Sequence, residues 1–374
     1  MWMGPGVALV IWENPVMQAS HVTPPNGQAA DVGLEHDVNL KPYNSFGLPA
    51  TAHRLVRIRS AADVRRVVDH PVLGLAPKFV LGGGSNIVLT HDIDAVVLKI
   101  EIPGIRLLEE RADAWIIEAG AGVPWPQLVE WSLDQGIGGL ENLALIPGTV
   151  GAAPVQNIGA YGLEMQGRLE NVVVVDLVTG RSATLPASVC RFGYRDSVFK
   201  QSGFGGLAGK SVITQVRFRC PKPWQPVLGY LELDRKMLET GISAPSARQI
   251  FDWVCEIRRA KLPDPAVIGN AGSFFKNPVV SLEQCRDIIG RDPHIVHYPM
   301  PDGQIKLAAG WMIDACGWKG KAVGGAAVYE RQALVLVNRS GEARGAEVVT
   351  LARAIQESVY GRFGIRLEPE PVLR

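Results

Sequence analysis

The sequence predicts a mixed α+β chain of two or three domains. Segments with strand-like alternation interleave with segments of helical periodicity along most of its length. The 41 glycines and 26 prolines ask for many turns and close backbone approaches rather than a helical bundle. The motif Pro221-Lys222-Pro223 marks a change of pattern and reads as a linker. At 374 residues the chain is long enough to bury more than one core.

The elements follow in order. Arg54–Ile58 reads as a strand, and Ser60 caps a helix with Val64, Val67 and Val68 on one face. A strand at Phe79–Leu81 runs into Gly82-Gly83-Gly84-Ser85-Asn86, and Val96–Ile100 and Trp115–Ala119 are further strands. Pro124 starts a helix reaching about Gln135 and presenting Leu128, Trp131 and Leu133. Asn171–Leu177 and Ser182–Leu185 form a hairpin around Val178-Thr179-Gly180. Ser211–Arg219 alternates as a half-buried strand. Beyond the linker, Ala247–Lys261 is a helix with Ile250, Phe251, Val254 and Ile257 inward. Leu307–Cys316 is helical and stopped by Gly317, Ala333–Val337 is a strand, and Ala346–Tyr360 is a helix. Ile365–Glu370 is expected to close the chain as a strand.

A net charge of +1 gives no broad field for nucleic acid or an anionic membrane, so any anion grip must be local. The five cysteines are far apart and form no CxxC pair, which argues against structural zinc and suits a reducing cytoplasm. Val7–Trp12 is too short to span a bilayer and lacks the flanks of a signal peptide. Residues 1–37 read as a loose extension, with Met17 an alternative start. His294 and His297 have HxxH spacing with no accompanying ligand pattern and read as surface residues, so no metal site is expected.

Two runs are shaped for phosphate. Gly82, Gly83, Gly84, Ser85 and Asn86 directly follow a strand, where consecutive glycines let backbone N–H groups converge on an anion. The second run is Pro147, Gly148, Thr149, Val150, Gly151, Ala152, Ala153 and Pro154, followed by Asn157-Ile158-Gly159-Ala160-Tyr161-Gly162. Its small residues let the chain lie against a flat ligand. Neither is a Rossmann fingerprint, because Ile87 stands where the third glycine belongs. Gly209-Lys210-Ser211 fails as a phosphate-binding P-loop because Phe204 replaces its first glycine. A tight strand connection is the plainer reading of the first run taken alone.

Three segments carry polar groups without an evident packing role: Phe192–Ser197 with Arg195, Gly269–Pro278 with Ser273, and Leu367–Pro371 with Glu368 and Glu370 at i and i+2. Each has a plainer alternative. Arg195 can pair with Asp196, Ser273 can be a turn hydroxyl, and Glu370 can be a solvated carboxylate. No nucleophile-elbow pattern surrounds Ser273, so a hydrolase reading is weak.

Seven motifs in one order decide between these readings. Asn44-Ser45-Phe46-Gly47, the two glycine runs, Asn157–Gly162, Phe192–Ser197, Gly269–Pro278 and Leu367–Glu370 together resemble the UDP-N-acetylenolpyruvoylglucosamine reductases (UDP-N-acetylmuramate dehydrogenases) of bacterial peptidoglycan synthesis. The likeness runs from about Leu40 to the end. Trp224–Tyr230 further resembles the subgroup with a tyrosine loop over the substrate. The extension, the glycine-rich stretch Ser202–Gly209 and the short tail after Glu370 depart from the family pattern without touching a motif.

The resemblance implies an FAD-binding domain of the vanillyl-alcohol-oxidase type at 38–223, in subdomains of about 38–103 and 104–223. It also implies an α/β substrate domain at 224–374 whose last strand returns to the flavin site. NADPH is the implied reductant, sharing one pocket in turn with the sugar nucleotide, and the expected molecule is a cytoplasmic monomer. Hydride from reduced FAD is expected to enter the enolpyruvyl group. Arg195 and a protonated Glu370, its pKa raised by burial, then stabilise the enolate, and Ser273 gives the proton. By the same resemblance Tyr230, Lys261, Asn277 and Gln332 contact the substrate. The competing reading is another FAD oxidase or dehydrogenase of this fold acting on a sugar or hydroxy acid, and a third is a flavin-binding module without turnover.

Overall fold

The computed structural model describes residues 31–300 and 302–374. The segment Val7–Trp12 and the alternative start at Met17 lie outside the described residues. The chain forms two compact units that are discontinuous in sequence. One comprises the described residues to Val38, with His53–Gly83 and Asp94–Ile257; the other comprises Asn39–Ala52, Gly84–Ile93 and Arg258–Arg374.

The first unit holds two sheets. A four-stranded sheet has the order Leu34–Asn39, Thr51–Ile58, Ile93–Ile100, Lys78–Leu81. Lys78–Leu81 runs parallel to Ile93–Ile100, with Leu81 opposite Lys99. The edge strand begins at Leu34, inside the stretch expected to be loose. Its alternation is weak, and the ion pair from Glu35 to Arg57 and the hydrogen bond between Asp37 and His53 help fix it. Ser60 caps the helix Ala61–Asp69 through a reciprocal box with Asp63.

The second sheet is antiparallel and five-stranded: Ser182–Pro186, Leu169–Asp176, Ser211–Pro221, Ala114–Gly120, Ile105–Glu110. The expected hairpin is present, with Val175 opposite Ser182 and Val172 opposite Leu185. Helix Trp125–Asp134 presents a different face from the one expected. Trp125, Leu128, Val129 and Ser132 are buried, while Trp131 and Leu133 are only partly so. The Trp125 ring sets this rotation by meeting Phe218 edge-on at 5.6 Å, its indole N–H donating to the Leu143 carbonyl at 2.8 Å.

Helix Ala247–Lys261 keeps its expected bounds, and Ile250, Phe251, Val254 and Ile257 join the first unit's core. The packing boundary therefore falls at Ile257 rather than at Pro223.

In the second unit, Asn270–Ser273, Val335–Asn338, Ala326–Val328 and Ala322–Val323 form one sheet. Val279–Val280, Ile305–Leu307 and His297–Pro299 form another. Helix Gly345–Phe363 covers this unit's core with Val348, Leu351, Ile355 and Val359 and ends at Gly364 in the left-handed conformation. Two expectations are corrected. Leu307 belongs to a strand opposite His297, so the following helix spans only Ala309–Ala315. Ile365–Glu370 is extended with a single bridge, Pro369 to Phe275, and the terminal strand is Val372–Leu373, parallel to Ile87–Val88. No helix among the described residues is long and apolar enough to cross a membrane.

Candidate functional site

In the first unit the two glycine runs meet. A Cβ on Gly83 would lie 2.9 Å from the Gly148 Cα, so the backbones touch where any side chain would separate them. A Cβ on Gly82 would stand 2.8 Å from the Thr149 hydroxyl. That hydroxyl is buried and has no hydrogen-bond partner. An unpartnered buried hydroxyl beside exposed Gly83 is an arrangement that a polar ligand completes. Gly151 answers to packing as well, since a Cβ there would meet Ala121 at 2.5 Å.

Sequence reasoning passed over Lys99, whose only signal is a cation at the end of the apolar run Val96-Val97-Leu98. Its ammonium donates to the Gly82 carbonyl at 2.7 Å, and burial pushes its pKa down. It also lines a cleft of about 410 Å³ with Glu101, Pro124, Gln127 and Trp131.

Arg195 sits at the tip of a tight turn closed by Gly193 and Asp196, whose N–H and carbonyl groups exchange bonds of 3.0 and 3.2 Å. Its φ is +55°, uncommon for a side chain that is not glycine. The guanidinium donates to the Gly159 carbonyl at 3.1 Å and lies 5.4 Å from the Tyr194 ring centre. Asp196 accepts from the Gln201 amide at 2.8 Å. Gly159-Ala160 pairs with Leu163-Glu164 across Tyr161-Gly162, and both turn residues have positive φ, as a tight hairpin requires. Asn157 has φ +44° and is fully buried. Three non-glycine residues in the left-handed region thus gather around one loop pair.

Tyr230 meets Tyr161 edge-on at 5.2 Å. Its segment is pinned upstream by neighbours in sequence: Trp224 donates to the Glu141 carboxylate at 2.8 Å, and the Asn142 amide donates to the Val227 carbonyl at 2.9 Å and the Tyr161 carbonyl at 2.8 Å.

The second unit holds the remaining candidates. Gly84 has φ +64°, and its carbonyl accepts the Ser45 N–H at 3.0 Å. A Cβ there would fall 2.0 Å from the Tyr43 carbonyl, so only glycine fits. Asn44 clamps its own turn by donating to the Leu40 and Leu48 carbonyls. The Asn86 amide donates to the Glu370 carbonyl at 3.2 Å, and Val372 N–H donates to the Asn86 carbonyl. The first glycine run is therefore shared: Gly82 and Gly83 in one unit, Gly84, Ser85 and Asn86 in the other.

Ser273 ends the strand Asn270–Ser273 opposite Val335, after a bulge with Gly272 at φ +69°. Its neighbour strand segment places Glu370 N–H on the Phe274 carbonyl at 2.8 Å and Lys276 N–H on the Glu368 carbonyl at 3.0 Å. Exposed Glu368 also pairs with Lys276, whereas Glu370 is half-buried. Burial thus separates the two glutamates that strand periodicity could not. The Asn277 carbonyl oxygen accepts the Ala309 N–H at 3.0 Å, and Gln332 accepts from Leu334 N–H. Lys261 lies exposed at a helix end, and His294 and His297 are exposed. No group of potential metal ligands occurs among the described residues.

The α+β fold and this glycine cradle fit a flavin-dependent oxidoreductase, and residues 52–185 match the FAD binding domain family. Residues 264–374 match the UDP-N-acetylenolpyruvoylglucosamine reductase C-terminal domain. The chain is 56% identical over 343 residues to UDP-N-acetylenolpyruvoylglucosamine reductase of Burkholderia vietnamiensis, covering 91% of this chain and 97% of that one. It is 54% identical to the Burkholderia orbicola enzyme over 93% and 99% of the two chains. The crystal structure of the Thermus caldophilus UDP-N-acetylenolpyruvylglucosamine reductase superposes with a TM-score of 0.63 at 26% identity, covering 91% and 98%. The chain belongs to the UDP-N-acetylenolpyruvoylglucosamine reductase family.

Proposed function

We propose that this protein uses NADPH to reduce the enolpyruvyl ether of UDP-N-acetylglucosamine to UDP-N-acetylmuramate, a step of peptidoglycan synthesis. The observation that carries the reading is the Arg195 guanidinium fixed on the Gly159 carbonyl, a planar fork held against the Asn157–Gly162 loop. FAD, when bound, supplies the hydride. Gly83, Gly148 and the Thr149 hydroxyl would hold its pyrophosphate, with Lys99 stiffening the loop from behind and its cleft giving room to one end of the dinucleotide.

Hydride enters the terminal carbon of the enolpyruvyl group, and charge then spreads onto the substrate carboxylate. Arg195 neutralises that charge, which makes its interaction stronger in the transition state than in the ground state. Glu370 donates a hydrogen bond to the same group in its neutral form. Ser273 delivers a proton to the carbanionic carbon, and its alkoxide recovers a proton from solvent. Tyr230 covers the sugar nucleotide as a loop aromatic, while Lys261, Asn277 and Gln332 bind its polar groups. NADPH and the sugar nucleotide bind in turn.

Rapid mixing tests the reading. NADPH is expected to bleach the bound flavin, and the enolpyruvyl sugar nucleotide to restore its colour. Restoration by a plain sugar or hydroxy acid, with no response to the enolpyruvyl compound, overturns it.

A further inference from the structure

Resting on that reading of Arg195, we infer that Asn157 is the positioning residue for its guanidinium. Asn157 is fully buried, and both of its side-chain polar atoms are used. Its amide donates to the Glu164 carboxylate and to the Gly193 carbonyl, both at 3.0 Å, and its carbonyl oxygen accepts the Gln166 N–H at 3.0 Å. The Gly193 carbonyl is the base of the Arg195 turn, because it also accepts the Asp196 N–H. Two residues beyond Asn157, the Gly159 carbonyl receives the guanidinium.

These bonds close a ring: Asn157 side chain, Gly193 carbonyl, the Tyr194–Arg195 tip, the guanidinium, the Gly159 carbonyl, and the backbone back to Asn157. The Ser197 hydroxyl, donating to the Val155 carbonyl at 2.7 Å, adds a second stitch between the same two segments. Among the described residues the turn joins no strand beyond its own two-residue bridge; the Val198 N–H to Cys190 carbonyl bond closes its base, and side-chain bonds, with Lys200 Nζ on the Arg195 carbonyl at 3.3 Å among them, help fix its height above the loop. Asn suits the task on two counts. It tolerates the left-handed backbone, and it offers a donor to a carbonyl and a donor to a carboxylate from a single nitrogen. Aspartate would put a second carboxylate beside Glu164 and could not donate to Gly193.

The test is a double-mutant cycle on the flavin-loaded enzyme with Asn157→Gly, Arg195→Ala and the double variant. Glycine keeps the left-handed backbone and removes only the side-chain bonds. Asn157→Gly is expected to leave bleaching by NADPH unchanged and to slow recolouring by the enolpyruvyl sugar nucleotide about 10- to 100-fold, the scale of a misplaced catalytic group. In the Arg195→Ala background it is expected to add less than about 2-fold. An equal slowing in both backgrounds overturns the inference, because Asn157 then acts other than through Arg195.

Arg195→Ala recolouring at the wild-type rate overturns the functional reading instead. The positioning claim is then decided by a crystal structure of Asn157→Gly, in which an unmoved Arg195 turn overturns it and a displaced one upholds it. If Asn157→Gly does not accumulate, Asn157→Ser, which removes the amide donors without adding a charge, enters the same cycle with the same expectations.

Discussion

Arg195 and Ser273 are held by opposite means. Arg195 stands at a loop tip with positive φ, and its place depends on side-chain bonds from Asn157 and Ser197. Ser273 stands in a strand whose ladder to Val335 is main-chain, flanked by the Glu370–Phe274 backbone bond. Each site is therefore vulnerable at a different point. A residue fixed by backbone pairing tolerates changes in its neighbours' side chains, because the ladder does not consult them. A residue fixed by side-chain stitches is exposed to single substitutions at a distance.

The largest expected effect is at the strand-held site. Ser273→Ala should leave bleaching by NADPH intact and slow recolouring about 10²- to 10⁴-fold, the usual worth of a positioned proton donor. Stopped-flow absorbance separates the two halves. Equal slowing of both would mean that the serine orients substrate, and the contrast with Arg195 would lose its chemical meaning.

The next effect probes the pinned tyrosine segment. Losing the Asn142 amide in Asn142→Ala frees the Val227 and Tyr161 carbonyls together. Raised KM for the sugar nucleotide is expected, by about 10-fold, at nearly constant rate of flavin bleaching. A fall in bleaching with unchanged KM would place Asn142 with the flavin loop alone.

The smallest effect concerns stability. Glu118 is buried between Arg217 and Arg106. Burial works against its charge, and the two guanidiniums outweigh that, holding the carboxyl below its ordinary 4.5. A lowered folded pKa adds stability that is complete above pH 4.5 and disappears as pH falls through the folded value. Glu118→Gln should therefore lower urea stability by about 1 kcal/mol at pH 7 and converge with wild type in acid. Parallel losses at both pH values would assign the residue a packing role only.

How much of this was legible in sequence depends on the range of the forces involved. Helix Ala247–Lys261 and the Ser60 box are local, and their periodicity and capping residues announce them. The face of helix Trp125–Asp134 is not local, because Phe218 and the Leu143 carbonyl decide it from ~20 to 90 residues away. The glycine runs are visible as composition, yet their meeting at Gly83 and Gly148 is a tertiary fact. Arg195, Ser273 and Glu370 were readable only through motifs in order, since no period marks a turn, a bulge or a one-bridge extended segment. Lys99 carries almost no signal and Asn157 only its place in a motif, because the role of a buried amide or a half-buried ammonium is set by the carbonyls around it.

The lone Thr149 hydroxyl ties folding to loading. Sealed away from water without a partner, it costs about 1–3 kcal/mol. A ligand oxygen that answers it returns that sum to the fold. Binding of such a ligand would therefore stabilise the folded chain, the more so the higher its concentration.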